Sequence, residues 1–346
     1  MKSHKYILNI LLIVCLTVIA LWFALKDNYQ VVLQALSEMN PFALAVILLW
    51  GTLYTVVWGF VYAVYGRKYV KNYSLTKGII VAFVGSFFAG ITPSSTGGQF
   101  GQAYIMSKQG IKVSDSASVL WADFIIYQST MMVYVTILFL LRYAYYRAQS
   151  GLFGIILLGY LINVIVILAL YTVALFPKFY IRLANWLAKF LSHFRFIKNP
   201  NKLVQSLTLQ VSQFTSEAKN LSKDKKRIAI CVLINFVRLS LLYSLPFAVG
   251  MALHIPLKMS QMLDVVALSS FVLMANSFIP IPGASGGTEM FFSLLFHGMM
   301  GSLTGAVMIL WRFSSYHIVI ILGAIIFALC KNHYAKKSAK EMSSCE

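Results

Sequence analysis

Long apolar runs alternate with short basic segments along the chain. Six runs exceed the about 18 residues that can cross a membrane: Ile7–Leu25, Phe42–Tyr65, Ala117–Leu141, Leu152–Phe176, Ile228–Leu253 and Thr304–Cys330. Two further apolar stretches are interrupted by proline, hydroxyl-bearing residues and paired glycines, in TPSSTGGQFGQAY at Thr92–Tyr104 and in PIPGASGGTE at Pro280–Glu289. The pattern predicts an all-α polytopic membrane protein with about six full spans and two re-entrant hairpins, or eight apolar segments in all.

Composition supports a membrane protein. The chain is 59% hydrophobic and 11% charged, whereas about a quarter of a soluble globular protein is charged. The first run has 19 residues and no small-residue cleavage site, so it is longer than the core of a signal peptide and is predicted to be retained as a span. The four cysteines are scattered without metal-binding spacing. No metal or other cofactor is predicted.

The net charge of +19 is unevenly distributed. Basic residues cluster before the first run, after the second, between Lys178 and Arg227, and between Lys331 and Lys340. Lys108 and Lys112 lie on the same predicted side as these clusters, whereas the loops of the opposite side hold only Lys26, Arg142, Arg147 and Lys258. This asymmetry is typical of the positive-inside rule and predicts a multi-pass protein of the cell membrane with both termini cytoplasmic. Anionic lipid headgroups are then the expected partners of the basic surface, and direct binding of nucleic acid is the less favoured explanation.

The predicted sides of the loops determine where each hairpin enters. Residues 79–106 begin and end on the cytoplasmic side, whereas residues 262–300 begin and end outside, so the two hairpins form an inverted repeat. A single integral membrane domain at 1–346 is predicted. Its divisions are a first half at 7–176 with its hairpin tip at 92–104, a basic amphipathic cytoplasmic connector at 177–227, a second half at 228–330 with its tip at 280–289, and a basic cytoplasmic tail at 331–346.

The two tips share the sequence P-x-x-[ST]-G-G, at Pro93–Gly98 and Pro282–Gly287. Matching interruptions in inverted repeats indicate the central site of a transporter, although proline and glycine clusters also mark ordinary loops. Hydroxyls beside the start of a returning helix suit a phosphate, because free N–H groups and the helix dipole favour an anion there. The candidate headgroup-binding residues at the tips are Ser94, Ser95, Thr96, Gly97, Gly98, Gln99, Ser285, Gly286, Gly287 and Glu289.

Charged side chains inside apolar runs are the second group of candidates, because each costs about 2.5–3.5 kcal/mol to insert into a membrane. Asp123, Arg238 and Arg312 lie within predicted spans, and Glu289 ends the second tip. The structural alternative is that Arg238 forms a purely stabilising pair with Glu289 or Asp123. The histidines His297 and His317 are expected to be packing residues.

Both tips resemble the membrane region of the lysylphosphatidylglycerol synthase/flippase family. The stretch AVMILWRFSSYH also resembles the family's A-x5-R-x3-Y segment, here Ala306, Arg312 and Tyr316. The resemblance implies site roles for Thr96, Gly97, Gly98, Gln99, Tyr104, Gly286, Gly287, Glu289 and Arg312. Phe100 departs from the family, which commonly has proline at this position. Full-length members also carry a soluble domain that transfers an amino acid from tRNA to phosphatidylglycerol, and only the membrane half is expected in this chain.

Three functions are consistent with these residues. The favoured one is a phospholipid flippase that moves an aminoacyl-phospholipid or related lipid, such as anionic or lysylated phosphatidylglycerol, between leaflets and so affects resistance to cationic antimicrobial peptides. The alternative is phosphatidylglycerol lysyltransferase activity, which would need a soluble aminoacyl-transferase partner. A minor alternative is an intramembrane serine protease, because Gly283–Gly286 matches G-x-S-G and His317 lies on the next span. No catalytic residue is otherwise predicted.

Overall fold

A computed structural model describes residues 30, 33–34, 37–92, 95–148, 150–193, 200–276, 284 and 286–343. This part of the chain is helical and contains no β-strand. Its helices are α1 (Pro41–Tyr69), α2 (Leu75–Gly90), α3 (Gly97–Lys108), α4 (Val113–Leu141), α5 (Tyr143–Ala148), α6 (Ser150–Leu175), α7 (Pro177–His193), α8 (Pro200–Lys223), α9 (Lys225–Ala252), α10 (Met262–Asn276), α11 (Gly287–Met300), α12 (Thr304–Arg312) and α13 (Ile318–Ser343). A π-helical turn, Phe313–His317, joins α12 to α13.

The long helices confirm the prediction of an all-α polytopic membrane protein. Five segments of the described chain are long and apolar enough to cross a membrane. They are α1, α4, residues Ile156–Val173 of α6, α9, and Gly287–Tyr334, which runs from α11 through α12 into α13. Predicted and observed boundaries agree within about one helical turn at most ends. The exception is α13, which continues through the predicted tail to Ser343. The predicted span Ile7–Leu25 lies outside the described residues.

The two predicted hairpins are pairs of shorter helices. In the first pair, α2 and α3 have 16 and 12 residues, and in the second, α10 and α11 have 15 and 14. At about 1.5 Å per residue none of them reaches the about 30 Å of a bilayer core. Gly85 lies against Gln102, and Phe88 against Gly101, so α2 and α3 run antiparallel. The side from which each hairpin enters the membrane stays a prediction.

Polar residues at the helix ends explain where the first elements begin. The Asn40 side chain accepts a hydrogen bond from the Phe42 N–H at 2.8 Å, and Pro41 occupies the first turn of α1. Ser74 caps α2 by accepting from the Lys77 N–H at 3.2 Å. Each cap pairs an N–H group that the first helical turn leaves without an intrahelical partner.

The first hairpin is held at its base by Tyr73 and Gln109. The Tyr73 hydroxyl donates to the Gln109 side-chain oxygen, and the Gln109 amide donates to the Lys77 carbonyl at 3.1 Å. Burial raises the pKa of Tyr73 above its usual value, so the phenol stays protonated and available as a donor. These bonds join the start of α2 to the end of α3.

Close backbone contacts fix α2 between two long helices. A methyl group added at Gly78 would lie 2.2 Å from the Gly59 carbonyl oxygen of α1, and one added at Gly323 of α13 would lie 2.3 Å from the Phe83 carbonyl oxygen. Small residues allow such close approach of membrane helices, whose association depends on packing rather than on a hydrophobic driving force. The first hairpin is therefore held by backbone contact on both sides.

The second hairpin is held mainly by large side chains. Phe292 of α11 stacks on Phe296 at 4.3 Å and on Trp311 of α12 at 5.0 Å between ring centroids, and all three are almost completely buried. Ser293 faces Met308. These contacts show that α11 and α12 run antiparallel, with the chain reversing at Gly301.

The predicted connector forms two helices that pack on each other, α7 and α8. α8 also contacts the spans α4 and α6. Phe179, Leu183 and Trp186 are exposed along one face of α7, as expected of an amphipathic helix at a membrane surface. Pro200 begins α8.

Candidate functional site

The two hairpin tips share an unusual backbone conformation. Ser95 and Ala284 occupy equivalent places in the shared tip sequence, and their φ angles are +56° and +51°. Positive φ is uncommon in residues other than glycine, so the same bend at both places supports the repeat at the level of the backbone. The tip residues Pro93, Ser94, Pro282, Gly283 and Ser285 lie outside the described residues.

Thr92 closes the first tip. Its hydroxyl accepts from the Gly97 N–H at 2.8 Å and donates to the Phe88 carbonyl at 2.7 Å. A methyl group at Gly97 would lie 2.5 Å from the Thr92 side chain. The Gly97 N–H is therefore bonded within the tip, and the assignment of Gly97 to the headgroup site stays a prediction.

Other predicted residues of the first tip lie close to the surface. Ser95, Thr96 and Gln99 are exposed, and Gly98 is buried against α2. Gly98 and Gln99 belong to the first turn of α3, where N–H groups have no partner within the helix. Tyr104 is 40% exposed and contacts Phe327 of α13 at 6.1 Å between ring centroids.

A buried ion pair organises the second tip. Arg312 Nε donates to Glu289 Oε1 at 3.0 Å, and both side chains are less than one-tenth exposed. The other carboxylate oxygen of Glu289 accepts from the Gly286 N–H at 2.7 Å. Glu289 therefore pairs with Arg312, and the suggested pair with Arg238 is wrong.

Tyr316 connects this ion pair to the first hairpin. Its ring lies 4.4 Å from the Arg312 guanidinium carbon, and its hydroxyl donates to the Gly90 carbonyl, at the end of α2, at 3.1 Å. A methyl group at Gly90 would lie 2.3 Å from the Ile320 side chain of α13. The contacts Gly90–Tyr316–Arg312–Glu289 therefore join the two hairpins, and Tyr316 is placed to do so by the π-helical turn after Arg312.

Asp123 forms a second polar centre, between α4 and α1. Its Oδ2 accepts from Trp58 Nε1 at 2.9 Å and from the Tyr62 hydroxyl at 2.8 Å. Gln102 of α3 donates to the same hydroxyl at 2.8 Å. The first hairpin is thus linked to Asp123 through a neutral tyrosine.

Arg238 of α9 lies beside Asp123 in an aromatic cage. Its guanidinium carbon lies 4.6, 4.3 and 4.6 Å from the ring centroids of Tyr54, Trp58 and Tyr127. One terminal nitrogen also donates to the Tyr54 hydroxyl at 2.6 Å, and the other to Asn235 at 3.3 Å. The described contacts contain no ion pair between Arg238 and Asp123, so the purely stabilising pair suggested for these two residues is not observed. Cation–π contacts stabilise the arginine instead.

The sequence prediction missed Gln102, Tyr62 and all three members of the cage, Tyr54, Trp58 and Tyr127. One pattern could have found part of it. Asp123 and Arg312 each lie thirty residues after the proline of their tip, and each is followed four residues later by tyrosine, Tyr127 or Tyr316. Both tyrosine rings lie against an arginine. The sequence repeat therefore extends beyond the tips into the following spans.

Comparison with known proteins identifies the family of this chain. The family model described as the lysylphosphatidylglycerol synthase TM region matches residues 6–323. The chain belongs to this family. Among curated proteins, the chain is similar to a UPF0104 membrane protein of Archaeoglobus fulgidus, with 24% identity over 283 residues. The aligned region covers 78% of this chain and 83% of the archaeal protein. The family match confirms the resemblance and establishes a multi-pass membrane protein of the lysylphosphatidylglycerol synthase TM-region type.

Proposed function

We propose that the protein is a phospholipid flippase that binds an anionic headgroup between its two hairpins. The observation that carries the proposal is the series of contacts from Gly90 through Tyr316 and Arg312 to Glu289. These contacts link the end of α2, in the first hairpin, to the start of α11, in the second hairpin, through the buried Arg312. Irregular backbone at membrane depth is stable where protein or a hydrated cavity surrounds it, and transporters build their central sites in this way.

Arg312 is the group best suited to a headgroup phosphate, because guanidinium forms bidentate bonds with phosphate oxygens. In the present arrangement Glu289 occupies it. A phosphate that replaced Glu289 would free this carboxylate to bond the N–H groups at the start of α11, where Gly286 already donates to it. The serines and threonines of the tips, with Gln99, would bond the remaining headgroup oxygens.

The proposed substrate class is taken from the name of the family. The name of the TM-region family supports lysylphosphatidylglycerol, or another phosphatidylglycerol-related lipid, as the cargo. A lysylated lipid in the outer leaflet lowers negative surface charge and weakens the attraction of cationic peptides, which links the proposal to antimicrobial resistance. A soluble aminoacyl-transferase would be the partner that makes this lipid.

The test measures lipid sidedness. Cells with and without the chain are treated with an impermeant amine reagent, and outer-leaflet lysylphosphatidylglycerol is compared with the total. We expect a larger labelled fraction at constant total lipid, and loss of that increase in Arg312→Leu. An unchanged labelled fraction would contradict the flippase. A rise in total lysylated lipid that depends on this chain would favour the transferase.

The orientation of the chain is part of the proposal, with both termini cytoplasmic in the cell membrane. Single cysteines replacing Ser74 and Ser206 should react with an impermeant thiol reagent only after the membrane is opened. A cysteine replacing Ser150 should react in intact cells, because Arg142 and Arg147 mark that loop as external in the charge pattern. Labelling of position 206 in intact cells would contradict the inverted arrangement of the hairpins.

A further inference from the structure

Asp123 is a buried carboxylate with hydrogen bonds on one side only. Both of its hydrogen bonds, from Trp58 and Tyr62, reach Oδ2. Oδ1 is buried and has no hydrogen-bond partner among the described residues, and the whole residue is 6% exposed. An unpaired carboxylate oxygen at membrane depth is costly, so its persistence calls for a ligand.

Arg238 does not supply that ligand. Its Nε is likewise buried without a hydrogen-bond partner among the described residues. The indole of Trp58 separates the two charges, because its N–H donates to Asp123 while its ring lies 4.3 Å from the guanidinium carbon of Arg238. The aromatic cage therefore keeps the arginine close enough to influence the carboxylate but prevents a direct ion pair.

The closed surroundings limit the ligand to a proton, with at most a water molecule. Arg238 is 4% exposed, and aromatic rings of α1 and α4 cover the space beside it. A metal cation would need several oxygen ligands, whereas one free carboxylate oxygen suffices for a proton. The titratable or charged groups that interact with Asp123 are Tyr62 and Tyr65 on α1, Tyr127 on α4, and Cys231 and Arg238 on α9.

We propose that Asp123 is a proton-binding site that couples lipid movement to the movement of protons across the membrane. This inference rests on the proposed flippase function. A proton taken from water on one side forms the O–H bond at Oδ1, and the same bond breaks when the proton passes to water on the other side. No oxidant, reductant or other reactant takes part.

Tyr62 provides the connection to the first hairpin. While Asp123 is charged, the Tyr62 hydroxyl donates to it and accepts from Gln102 of α3. A neutral Asp123 accepts more weakly, so the Tyr62 hydroxyl is released to rotate and the Gln102 bond weakens with it. Gln102 lies directly against Gly85 of α2, which places the relay inside the hairpin.

The first measurement detects the proton without any transport. Infrared difference spectra of the purified full chain in lipid, recorded between acidic and alkaline pH, report the carbonyl stretch of a protonated carboxyl group. We expect this band in the unmodified chain and in Asp115→Asn, which removes a partly buried carboxylate from the first turn of the same helix. Because the other Asp and Glu side chains also contribute to the band at acidic pH, Asp123→Asn should lack one component of it that Asp115→Asn retains. A band in Asp123→Asn identical to that of the unmodified chain would overturn the proposal.

A second variant, Tyr62→Phe, tests the same proton site if Asp123→Asn does not fold. Tyr62→Phe keeps the ring and removes one donor to the carboxylate. Since the charged form loses this bond, the titration of the band should move to higher pH. An unchanged titration in Tyr62→Phe would also contradict the proposal.

The second measurement tests coupling in liposomes that contain the purified chain and labelled phosphatidylglycerol. A pH difference is imposed in each direction, and lipid redistribution is recorded together with the pH inside. The unmodified chain and Asp115→Asn should respond to the direction of the gradient, whereas Asp123→Asn should move lipid equally in both directions or not at all. Lipid movement by the unmodified chain without gradient dependence would overturn coupling and leave the flippase intact. No lipid movement at all would contradict the flippase itself, while the infrared band would still decide whether Asp123 binds a proton.

Discussion

The two repeat units place opposite charges at equivalent positions and tie them to their hairpins differently. In the second unit, Glu289 of the hairpin forms a direct ion pair with Arg312 of the following span. In the first unit, Gln102 of the hairpin reaches Asp123 only through the Tyr62 hydroxyl. A direct buried ion pair resists separation, whereas hydrogen bonds relayed through the uncharged Tyr62 hydroxyl change at lower cost. The comparison shows that the hairpin of the second unit bonds directly to its buried charge, whereas the hairpin of the first unit is linked to its buried charge only through a tyrosine hydroxyl.

The largest expected effect comes from breaking the direct pair. Arg312→Met leaves the Glu289 charge buried, so we expect a loss of about 3–5 kcal/mol in the free energy of unfolding. Adding Glu289→Gln removes the unpaired charge and should restore most of that stability without restoring lipid movement. Thermal unfolding in detergent and the outer-leaflet labelling assay measure the two properties. Recovery of transport in the double variant would remove this pair from the headgroup site.

The next largest effect concerns the close packing of the first hairpin. A methyl group in Gly59→Ala would lie 2.5 Å from the Ile79 backbone, and overpacking of this kind costs about 1–3 kcal/mol. Gly154→Ala is the matched control, because no atom of a neighbouring element lies within 4 Å of the added methyl group. We expect Gly59→Ala to lower the unfolding temperature and Gly154→Ala to leave it unchanged or raise it. Equal behaviour of the two variants would contradict the glycine contact.

A smaller effect separates two glutamines of the first hairpin. Gln102→Leu removes the donor to Tyr62 and should cost about 1 kcal/mol, with a change in the pH dependence of transport. Gln99 is exposed, so Gln99→Ala should change stability by less than about 0.5 kcal/mol, with any effect confined to lipid movement. Unfolding measurements on both variants test this order. A larger loss of stability for Gln99→Ala would show that Gln99, rather than Gln102, stabilises the fold.

The smallest effect distinguishes the two equivalent tyrosines. Tyr316→Phe keeps the ring against Arg312 but loses the bond to the Gly90 carbonyl, for an expected cost of about 0.5–1.5 kcal/mol. Tyr127→Phe keeps its ring against Arg238 and loses no hydrogen bond that the described contacts contain, so its cost should be lower. Thermal unfolding of the two variants provides the comparison, and a greater loss for Tyr127→Phe would show that its hydroxyl has a structural role.

Sequence patterns predicted the long helices well, because apolar length is a direct consequence of bilayer thickness. The hairpin pairs were also predictable, since apolar runs broken by P-x-x-[ST]-G-G cannot continue as spans. The partners of the buried charged side chains could not be predicted from the sequence. Which residue faces Glu289 depends on the rotation of α12 about its axis, and hydropathy carries no information about that rotation. Gln102 was missed for a similar reason, because it lies one turn beyond the shared P-x-x-[ST]-G-G sequence and its role depends on Tyr62 of another helix.

The glycine contacts around α2 have a mechanical consequence. Two backbones in direct contact have no side chains between them to rearrange, so sliding one past the other would force atoms to overlap. Gly59 with Gly78, and Gly323 with Phe83, form such contacts on the two sides of α2. We therefore expect α1, α2 and α13 to move as one rigid body. Bending during a transport cycle should then occur at the hydrogen bonds of the Tyr316 and Tyr62 hydroxyls.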